Sequence, residues 1–358
     1  MDCIIKNYGL DMEEVYEVIT KFLNTPLNEI AAEPIESGLI NKTFLITDSS
    51  SNKKFVLQRI NIEIFKSPEA LISNYNIIFD ELIKSKCTLK VAKLYTALEA
   101  GFLFYDIENY PWRMFLYIKK SKTFNKTRKP QIAFEAAKSF SKFYKYISFN
   151  KKIQLETVLP NFIDFKKRLI DFEIALKNSN QKFISDSKTV LDFVLKNINL
   201  PEYWIELQEK NLLPIRIIHA DPKISNILFD KKNKGLAIID LDTAMQGTIL
   251  YDFGDMIRSY SNLLKEDDPR KGNFDEVLYN AAKVGFLYHI DKKLLNIEVD
   301  NLDYAAQAVI YVQCVRFLTD FLNGSIYYST TYENQNLNRA INQMNLLVGL
   351  MDYHDSLN

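Results

Sequence analysis

The spacing of apolar residues changes near residue 130, and this change constrains the fold more than any other feature of the chain. Before it, short β-branched and aromatic runs flank turn residues, as in TFLIT (43–47) and FVLQRI (55–60) around DSSSNKK (48–54). After it, apolar residues recur at helical intervals, as in PQIAFEAAKSFSKFYKYI (130–147). A hairpin followed by a largely helical region predicts an α+β fold with two lobes.

The remaining elements fit the same division. A helix is predicted at about 11–24, and a second helix begins at Pro68 with Ser67 as its N-cap. Strand-like segments then follow at 90–97, 102–108 and 112–118, and again, briefly, at 215–221, 226–230 and 235–242. Apolar periodicity stops between 118 and 130. We therefore predict an N-terminal lobe at 1–118 and a helical C-terminal lobe at 119–358.

Composition excludes several classes of function. The 358 residues include 45 Lys plus Arg and 45 Asp plus Glu, so there is no basic excess of the kind that nucleic-acid binding requires. The start of the chain carries acidic residues and lacks the apolar core of a signal peptide, and no apolar run has the length of a membrane span. We expect a cytoplasmic protein, monomeric or homodimeric, that binds neither nucleic acid nor membrane.

Polar residues with a distinctive spacing follow the late strand signals. The strand IRII ends at His219, Asp221 follows on a loop, and Asn226 comes five residues later. A turn at DKKNKG then returns the chain, so that Asp240 and Asp242 end at the same edge. Close carboxylates repel each other unless a cation joins them, and Mg²⁺ prefers such oxygen ligands. Singly, each residue is an ordinary turn residue; together they have the Asp-x₄-Asn spacing of a kinase catalytic loop.

The order of these motifs gives the chain a resemblance to known enzymes. HADPKISNILFD (219–230), AIIDLDTAMQG (237–247) and LYDFGDMIRS (250–259) resemble the aminoglycoside phosphotransferase and choline kinase superfamily, relatives of the protein kinases. GLINKTFLI (38–46), FVLQRIN (55–61), WRMFLYI (112–118) and RFLTDFLNGSIYY (316–328) resemble, more narrowly, the bacterial N-acetylhexosamine 1-kinases. The resemblance implies a bilobal protein-kinase-like fold, with a small N-terminal antiparallel sheet and helix and a larger, mainly helical C-terminal lobe. It also implies that the lobe at 1–118 binds the nucleotide and that the lobe at 119–358 carries the catalytic loop and the acceptor site.

The resemblance also implies catalytic roles. Asp221 is the expected base, which accepts the proton of the acceptor hydroxyl, and Asn226 and Asp240 are the expected ligands of Mg²⁺. Lys223 is expected either to offset charge on the transferring phosphoryl group or to be an exposed loop lysine. His219 is expected to be structural, holding the loop through hydrogen bonds.

The sequence YDFGD contains the DFG triplet of the protein kinases, but its position excludes the corresponding role. Asp240, fourteen residues after Asn226, already fills that place in the chain order. Asp252 then lies at a helix start, where a carboxylate is favoured by the helix dipole. We expect Asp252 to brace the catalytic loop.

The nucleotide side departs from the kinase pattern. The loop expected to cover the phosphates has one glycine, Gly38, and would use its backbone N–H groups from there through Asn41 to Thr43. The following strand has Gln58 and Arg59 where kinases place a lysine. The two point to opposite faces of a strand, so only one enters the cleft. Position favours Gln58 and charge favours Arg59, and both remain candidates.

The acceptor side rests on three candidates. Arg316 and Asp320 are four residues apart on one helical face, where they either contact the sugar or form an ion pair within the helix. Asp242 either supports the metal site or faces the sugar. Ala220 and Pro222 replace the polar residue and the threonine usual in hexosamine kinases, which affects the choice of sugar more than the reaction.

These expectations amount to a kinase that uses ATP and Mg²⁺ and phosphorylates the anomeric hydroxyl of N-acetylglucosamine or N-acetylgalactosamine. One alternative is a kinase of the same superfamily for another small acceptor, such as choline, homoserine, methylthioribose or an aminoglycoside. Another is a non-catalytic nucleotide-binding relative, which the missing strand lysine would favour.

Overall fold

A computed structural model describes residues 12–35, 40–99, 101–150 and 152–357. Its helices are α1 (Met12–Thr20), α2 (Pro68–Lys84), α3 (Pro130–Ile147), α4 (Phe165–Asn178), α5 (Gln181–Asp186), α6 (Lys188–Lys196), α7 (Asn199–Glu209), α8 (Ile249–Tyr260), α9 (Glu276–Leu287), α10 (Asn296–Asp300), α11 (Leu302–Leu322) and α12 (Gln335–Asp355). Its strands are β1 (Ile30–Pro34), β2 (Lys42–Asp48), β3 (Lys53–Arg59), β4 (Leu94–Tyr95), β5 (Phe104–Tyr105), β6 (Pro111–Leu116), β7 (Arg216–Ile218), β8 (Ile227–Phe229), β9 (Gly235–Ile238) and β10 (Met245–Gly247). An antiparallel N-terminal sheet precedes a mainly helical part, which confirms the predicted α+β fold.

The N-terminal sheet has the strand order β1-β2-β3-β6-β4, with β5 also paired to β6, and all its pairings are antiparallel. The predicted hairpin is β2 and β3, which pair from Lys42 opposite Arg59 to Asp48 opposite Lys53. Strand β1 was not predicted. It lies at the edge of the sheet and ends at Pro34, and a proline weakens the sequence signal of a strand.

Alternation along β3 gives the sheet two different faces. Phe55 and Leu57 pack with Val15 of α1 in a small N-terminal core. On the opposite face, Val56 packs against the larger core that extends into the helical part. Gln58, two residues further on, shares that second face and points toward the helical part.

The helix α2 and the segment after it connect the sheet to the helical part. The helix begins at Pro68 as predicted, although the side chain of Ser67 makes no capping hydrogen bond. Ile78 belongs to the same large core as the residues of α3. Beyond the helix, the backbone of Lys90 bonds to β9, since Lys90 N donates to Leu236 O and Lys90 O accepts from Ile238 N, both at 3.0 Å. The sheet is therefore anchored to a ribbon of the second part.

The helical part is packed tightly around α11. Helix α8 crosses it at Gly254, where an added Cβ would lie 2.5 Å from Val309 Cγ2 and 2.6 Å from the carbonyl oxygen of Ala305. Only a glycine allows this approach. Within the described ranges, no helix combines the length and apolarity needed to cross a membrane.

Two short antiparallel ribbons position the polar segments. β8 and β9 form the predicted hairpin, with Ile227 opposite Ile238. β7 is not part of this hairpin; it pairs with β10, so that Ile218 lies opposite Met245. That second pairing joins strands of three residues each, too short for a periodic signal in the sequence.

Candidate active site

The loop that follows β7 is held by the hydrogen bonds of His219. Its ring is fully buried, Nε2 lies 3.1 Å from the carbonyl oxygen of Ile239, and the edge of the ring meets Phe140. Its own carbonyl oxygen accepts a bond of 2.7 Å from Thr243 Oγ1. Burial lowers the pKa of His219, so the ring is neutral near pH 7. These contacts connect the two ribbons, which is the structural role expected for this residue.

Asp252 braces the same loop from the first turn of α8. Its Oδ2 accepts from the backbone N–H of His219 at 2.7 Å and from the hydroxyl of Tyr144 at 2.8 Å, while Oδ1 accepts from the backbone N–H of Ala220 at 2.9 Å. Burial raises the pKa of Asp252 to about 7, although its three hydrogen bonds act in the opposite direction. The bracing predicted from its place in the sequence matches these contacts.

Asp221, Asn226 and Lys223 meet within the loop. The side-chain nitrogen of Asn226 donates to the carbonyl oxygen of Asp221 at 2.9 Å and to its carboxylate at 3.2 Å. Lys223 Nζ lies 3.1 Å from the other carboxylate oxygen. Burial acts to raise the pKa of Asp221, but nearby positive charge, first of all that of Lys223, holds that pKa below its ordinary value. Asp221 is therefore an ionised carboxylate in a fixed position, and Lys223 is its partner.

Asp240 lies beside Asn226 at the end of the β8–β9 ribbon. The backbone N–H of Ile239 donates to the carbonyl oxygen of Asn226 at 3.0 Å, and Asp240 itself has a left-handed φ of 63°. Its side chain reaches solvent, yet the surrounding protein removes much of its hydration. This loss raises the pKa of Asp240 to about 7, and the negative charges of Asp242 and Asp221 add to the effect.

The donor set at this position suits a hard divalent cation. A cation would favour the charged form of a carboxylate whose pKa is raised by like charges. The amide nitrogen of Asn226 faces Asp221, so its oxygen is the atom that can meet a cation beside Asp240. No group of three or more His, Cys, Asp or Glu side chains forms a metal site in the described parts of the chain. One carboxylate and one amide still fit Mg²⁺, which keeps several waters and phosphate ligands.

Asp242 is engaged by the N-terminal sheet. Arg113 of β6 donates to both carboxylate oxygens, from Nη1 to Oδ1 at 2.7 Å and from Nη2 to Oδ2 at 2.6 Å. Asn41 Nδ2 donates to Oδ2 at 2.8 Å, and Asn41 Oδ1 accepts from the backbone N–H of Asn61. Asp242 is buried, and its three hydrogen bonds fit support of the turn that follows Asp240 better than contact with a sugar.

Arg113 was not among the residues singled out from the sequence. It is 2% exposed, and every residue from Pro111 to Phe115 is buried. Burial acts to lower the pKa of Arg113, but Asp242 outweighs this and raises it. A usable signal was present, because a lone arginine inside the apolar run PWRMFL requires a buried partner. Its partner, 129 residues away, is set by the tertiary fold.

The two strand candidates have different surroundings. Gln58 Oε1 accepts from Arg113 Nε at 3.1 Å and Nη2 at 2.9 Å, and its Nε2 donates to Thr43 Oγ1 at 3.1 Å. Arg59 lies on the opposite face, over the ring of Tyr110 at 4.0 Å and 3.6 Å from Glu14. Strand alternation thus turns Arg59 away from Asp242, so its position does not favour the candidate role at the nucleotide. Gly38 lies outside the described residues.

The two candidates on α11 do not form the ion pair that was one reading of their spacing. Asp320 accepts from the backbone N–H groups of Tyr327 and Tyr328, at 2.8 and 2.9 Å, and from Asn336 Nδ2 at 2.8 Å. These bonds hold the loop that follows α11. Arg316 instead donates to Gln313 Oε1 at 3.0 Å. Arg316 and Asp320 therefore have different hydrogen-bond partners, although they are four residues apart on the same helix.

Comparison with known proteins agrees with this architecture. Residues 160–282, which include the 219–226 loop and Asp240, match the family model described as the phosphotransferase enzyme family. The fold matches an aminoglycoside phosphotransferase from Alicyclobacillus acidocaldarius at 13% identity, with a TM-score of 0.65 and 98% of each chain covered. It also matches a microcompartment-associated aminopropanol kinase (13% identity, TM-score 0.63, 97% of this chain and 98% of that one). A third match is a spectinomycin phosphotransferase solved with ADP and spectinomycin (12% identity, TM-score 0.62, 95% and 98%). Residues 160–282 are thus similar to the phosphotransferase enzyme family, and the fold of nearly the whole chain is similar to that of small-molecule kinases.

Proposed function

We propose that the protein is a kinase that uses ATP and Mg²⁺ and phosphorylates the anomeric hydroxyl of an N-acetylhexosamine. The observation that carries the reaction type is the convergence of Asp221, Asn226 and Asp240 around the end of one ribbon, inside the segment that matches the phosphotransferase enzyme family. The structural neighbours include an enzyme solved with ADP, which supports a nucleoside triphosphate as donor. The choice of acceptor rests on the sequence motifs around 38–46, 112–118 and 316–328.

The mechanism follows from the placement of the carboxylate. The acceptor hydroxyl oxygen attacks the γ-phosphorus of ATP, its proton passes to Asp221, and the bond to the β-phosphate oxygen breaks to leave ADP. Asn226 holds Asp221 in place through two contacts, and Lys223 keeps it ionised. An anomeric hydroxyl is more acidic than other sugar hydroxyls, so a carboxylate is a sufficient base. Asn226 and Asp240 would hold Mg²⁺, which when bound neutralises charge on the phosphates.

Two other functions are distinguishable. A kinase for a cationic acceptor such as choline or an amino alcohol would need an acidic acceptor site, whereas the candidate acceptor residue on α11 is Arg316. A second arginine, Arg168, lies nearby: its pKa is lowered by burial and by the positive charge of Arg316. A non-catalytic nucleotide-binding protein would not need a carboxylate base held in a fixed position. The contacts of Asp252 and Asn226 with the 219–226 loop speak against that reading.

Phosphorus NMR of the reaction products tests the proposal directly. The purified protein is incubated with ATP, Mg²⁺ and, in parallel, N-acetylglucosamine, N-acetylgalactosamine, choline, 1-amino-2-propanol and an aminoglycoside, and ADP release is measured in each. We expect a sugar phosphate whose phosphorus couples to one proton, as a 1-phosphate does, rather than to two, as a 6-phosphate does. Turnover of choline or aminopropanol without hexosamine turnover would assign the acceptor differently. Nucleotide binding without ADP formation in the presence of any of these acceptors would indicate a non-catalytic binding protein.

A further inference from the structure

This protein has a buried cation, Arg113, on β6, the strand next to the one whose counterpart carries a lysine in kinases. In protein kinases, a lysine of that strand pairs with the nucleotide phosphates and with a glutamate. Here Gln58 occupies that face of β3, and Arg113 lies directly opposite it on β6. The guanidinium is buried and donates two hydrogen bonds to Gln58 Oε1. A positive charge is thus present at the same place on the sheet, but on a different strand.

The contacts of Arg113 show what this charge acts on. A guanidinium has five N–H donors. Gln58 accepts from Nε and Nη2, and Asp242 accepts from Nη1 and Nη2 in a two-point contact. Four of the five donors are therefore committed to protein atoms. A two-point contact with a phosphate would require Arg113 to give up Asp242, which would leave a buried carboxylate without its cation.

We propose that Arg113 takes the place of the missing strand lysine as a positioning residue, acting through Asp242 on the turn that presents Asp240. Asp242 lies two residues after Asp240, and the turn between them begins with the left-handed backbone of Asp240 itself. The two-point contact fixes the far end of this turn to the sheet. This inference rests on the proposed function, because it assigns Asp240 to the nucleotide–Mg²⁺ complex.

The carboxylate of Asp242 connects three parts of the proposed nucleotide cleft. Asn41 reaches Asp242 from the segment before β2, and Arg113 reaches it from β6. One carboxylate of the helical part therefore ties together the segment expected to cover the phosphates, the sheet and the metal-site turn. Loss of Arg113 would separate the sheet from the turn and leave Asn41 as the remaining hydrogen-bond partner of Asp242. We therefore expect weaker binding of the nucleotide–Mg²⁺ complex with little change at the acceptor.

The test compares variants by nucleotide binding as well as by turnover. Arg113→Gln, Arg113→Lys, Asp242→Asn and the double variant Arg113→Gln/Asp242→Asn are measured for the Kd of MgATP by calorimetry and for the KM values of ATP and acceptor. The double variant contains no buried unpaired charge, so it remains informative if a single variant fails to fold. Arg216→Gln is the matched control, because it removes another two-point arginine–carboxylate contact, with Glu298, away from the cleft.

We expect Arg113→Gln and Asp242→Asn to weaken MgATP binding by similar factors, at least tenfold, with the acceptor KM changed less than twofold. The double variant should bind MgATP no less tightly than the single variant that binds it less tightly. Arg113→Lys should bind MgATP more tightly than Arg113→Gln and less tightly than the wild type. Arg216→Gln should lower the melting temperature and leave the Kd of MgATP within twofold.

Two results would overturn the inference. A folded Arg113→Gln that binds MgATP as the wild type does would remove any role in the cleft. A loss in Arg113→Gln that Asp242→Asn does not share would make Arg113 a direct phosphate ligand. If no acceptor is turned over, the binding measurements still decide the role of Arg113, so failure of the proposed function is distinguishable from failure of this inference.

Discussion

Asp252 Oδ1 accepts a hydrogen bond of 2.9 Å from the backbone N–H of Ala220, which has a φ of 62° in the left-handed region that alanine rarely adopts. Such a conformation costs on the order of 1 kcal/mol or more and persists only where its surroundings impose it. The buried carboxylate of Asp252 supplies that constraint, and the constrained residue, Ala220, directly precedes the proposed base Asp221. The strain therefore lies in the loop that must hold the base in place.

Replacing Asp252 with asparagine tests this brace. One acceptor oxygen becomes an NH₂ group and faces an N–H or O–H donor, so a buried hydrogen bond is lost. We expect Asp252→Asn to lower the free energy of unfolding by about 1–3 kcal/mol, measured by urea denaturation. Asp275→Asn serves as the control, because asparagine caps the start of α9 as well as aspartate does. An unchanged stability of Asp252→Asn would show that the carboxylate does not hold the loop.

The raised pKa of Asp252 predicts the pH dependence of this difference. Its folded pKa, about 7, lies above the ordinary value of 3.8, so its contribution is fully present below about pH 4 and is lost as pH rises through 7. The stability of the wild type relative to Asp252→Asn should therefore fall between about pH 4 and pH 7, by at most about 1.4 kcal/mol per pH unit, and level off above pH 7. Urea titrations of both proteins across this range measure the slope. A difference that grows with pH would contradict the raised pKa.

Substitutions at Ala220 test the left-handed backbone itself. Ala220→Gly removes the strain but adds entropy to the unfolded chain, so we expect a change in unfolding free energy within about 1 kcal/mol and retained turnover. Ala220→Val places a β-branched side chain in a buried left-handed position, and we expect a loss of about 2 kcal/mol or more with reduced turnover. Equal stability of the two variants would argue against the left-handed conformation.

Asp221→Asn tests the base. The amide keeps the shape of the side chain but accepts no proton, so we expect kcat to fall by about 10²–10⁴-fold while the melting temperature stays close to that of the wild type. ADP release and thermal denaturation provide the two measurements. A variant with wild-type turnover would exclude Asp221 as the base.

Asp320 and Arg316 are expected to differ despite their common helix. Asp320 already accepts two hydrogen bonds from the loop after α11 and one from Asn336 of α12. Asp320→Asn should therefore lower stability by about 1–3 kcal/mol and affect the acceptor KM only through the loop. Arg316→Gln should raise the acceptor KM with a smaller loss of stability if this side chain contacts the acceptor. Acceptor titrations at saturating ATP separate the two effects. The reverse pattern would make Asp320 the acceptor residue.

Much of the fold could be predicted from local patterns. The hairpin at 43–60, the helix that begins at Pro68 and the helix at 130–147 follow from apolar spacing and turn residues, because these signals act over a few neighbouring positions. Short strands escaped this reading, since β1 and β10 depend on partners rather than on their own composition.

Within the site, the sequence by itself determined the candidate base and the Asp-x₄-Asn spacing, because loop chemistry and chain order are local properties. Only the tertiary structure decided that Gln58 rather than Arg59 faces Asp242, that Asp320 holds a loop, and that Arg113 supplies the buried cation. The physical reason is that a buried charge takes whichever opposite charge the packing of distant elements brings within reach, and no local pattern specifies that partner.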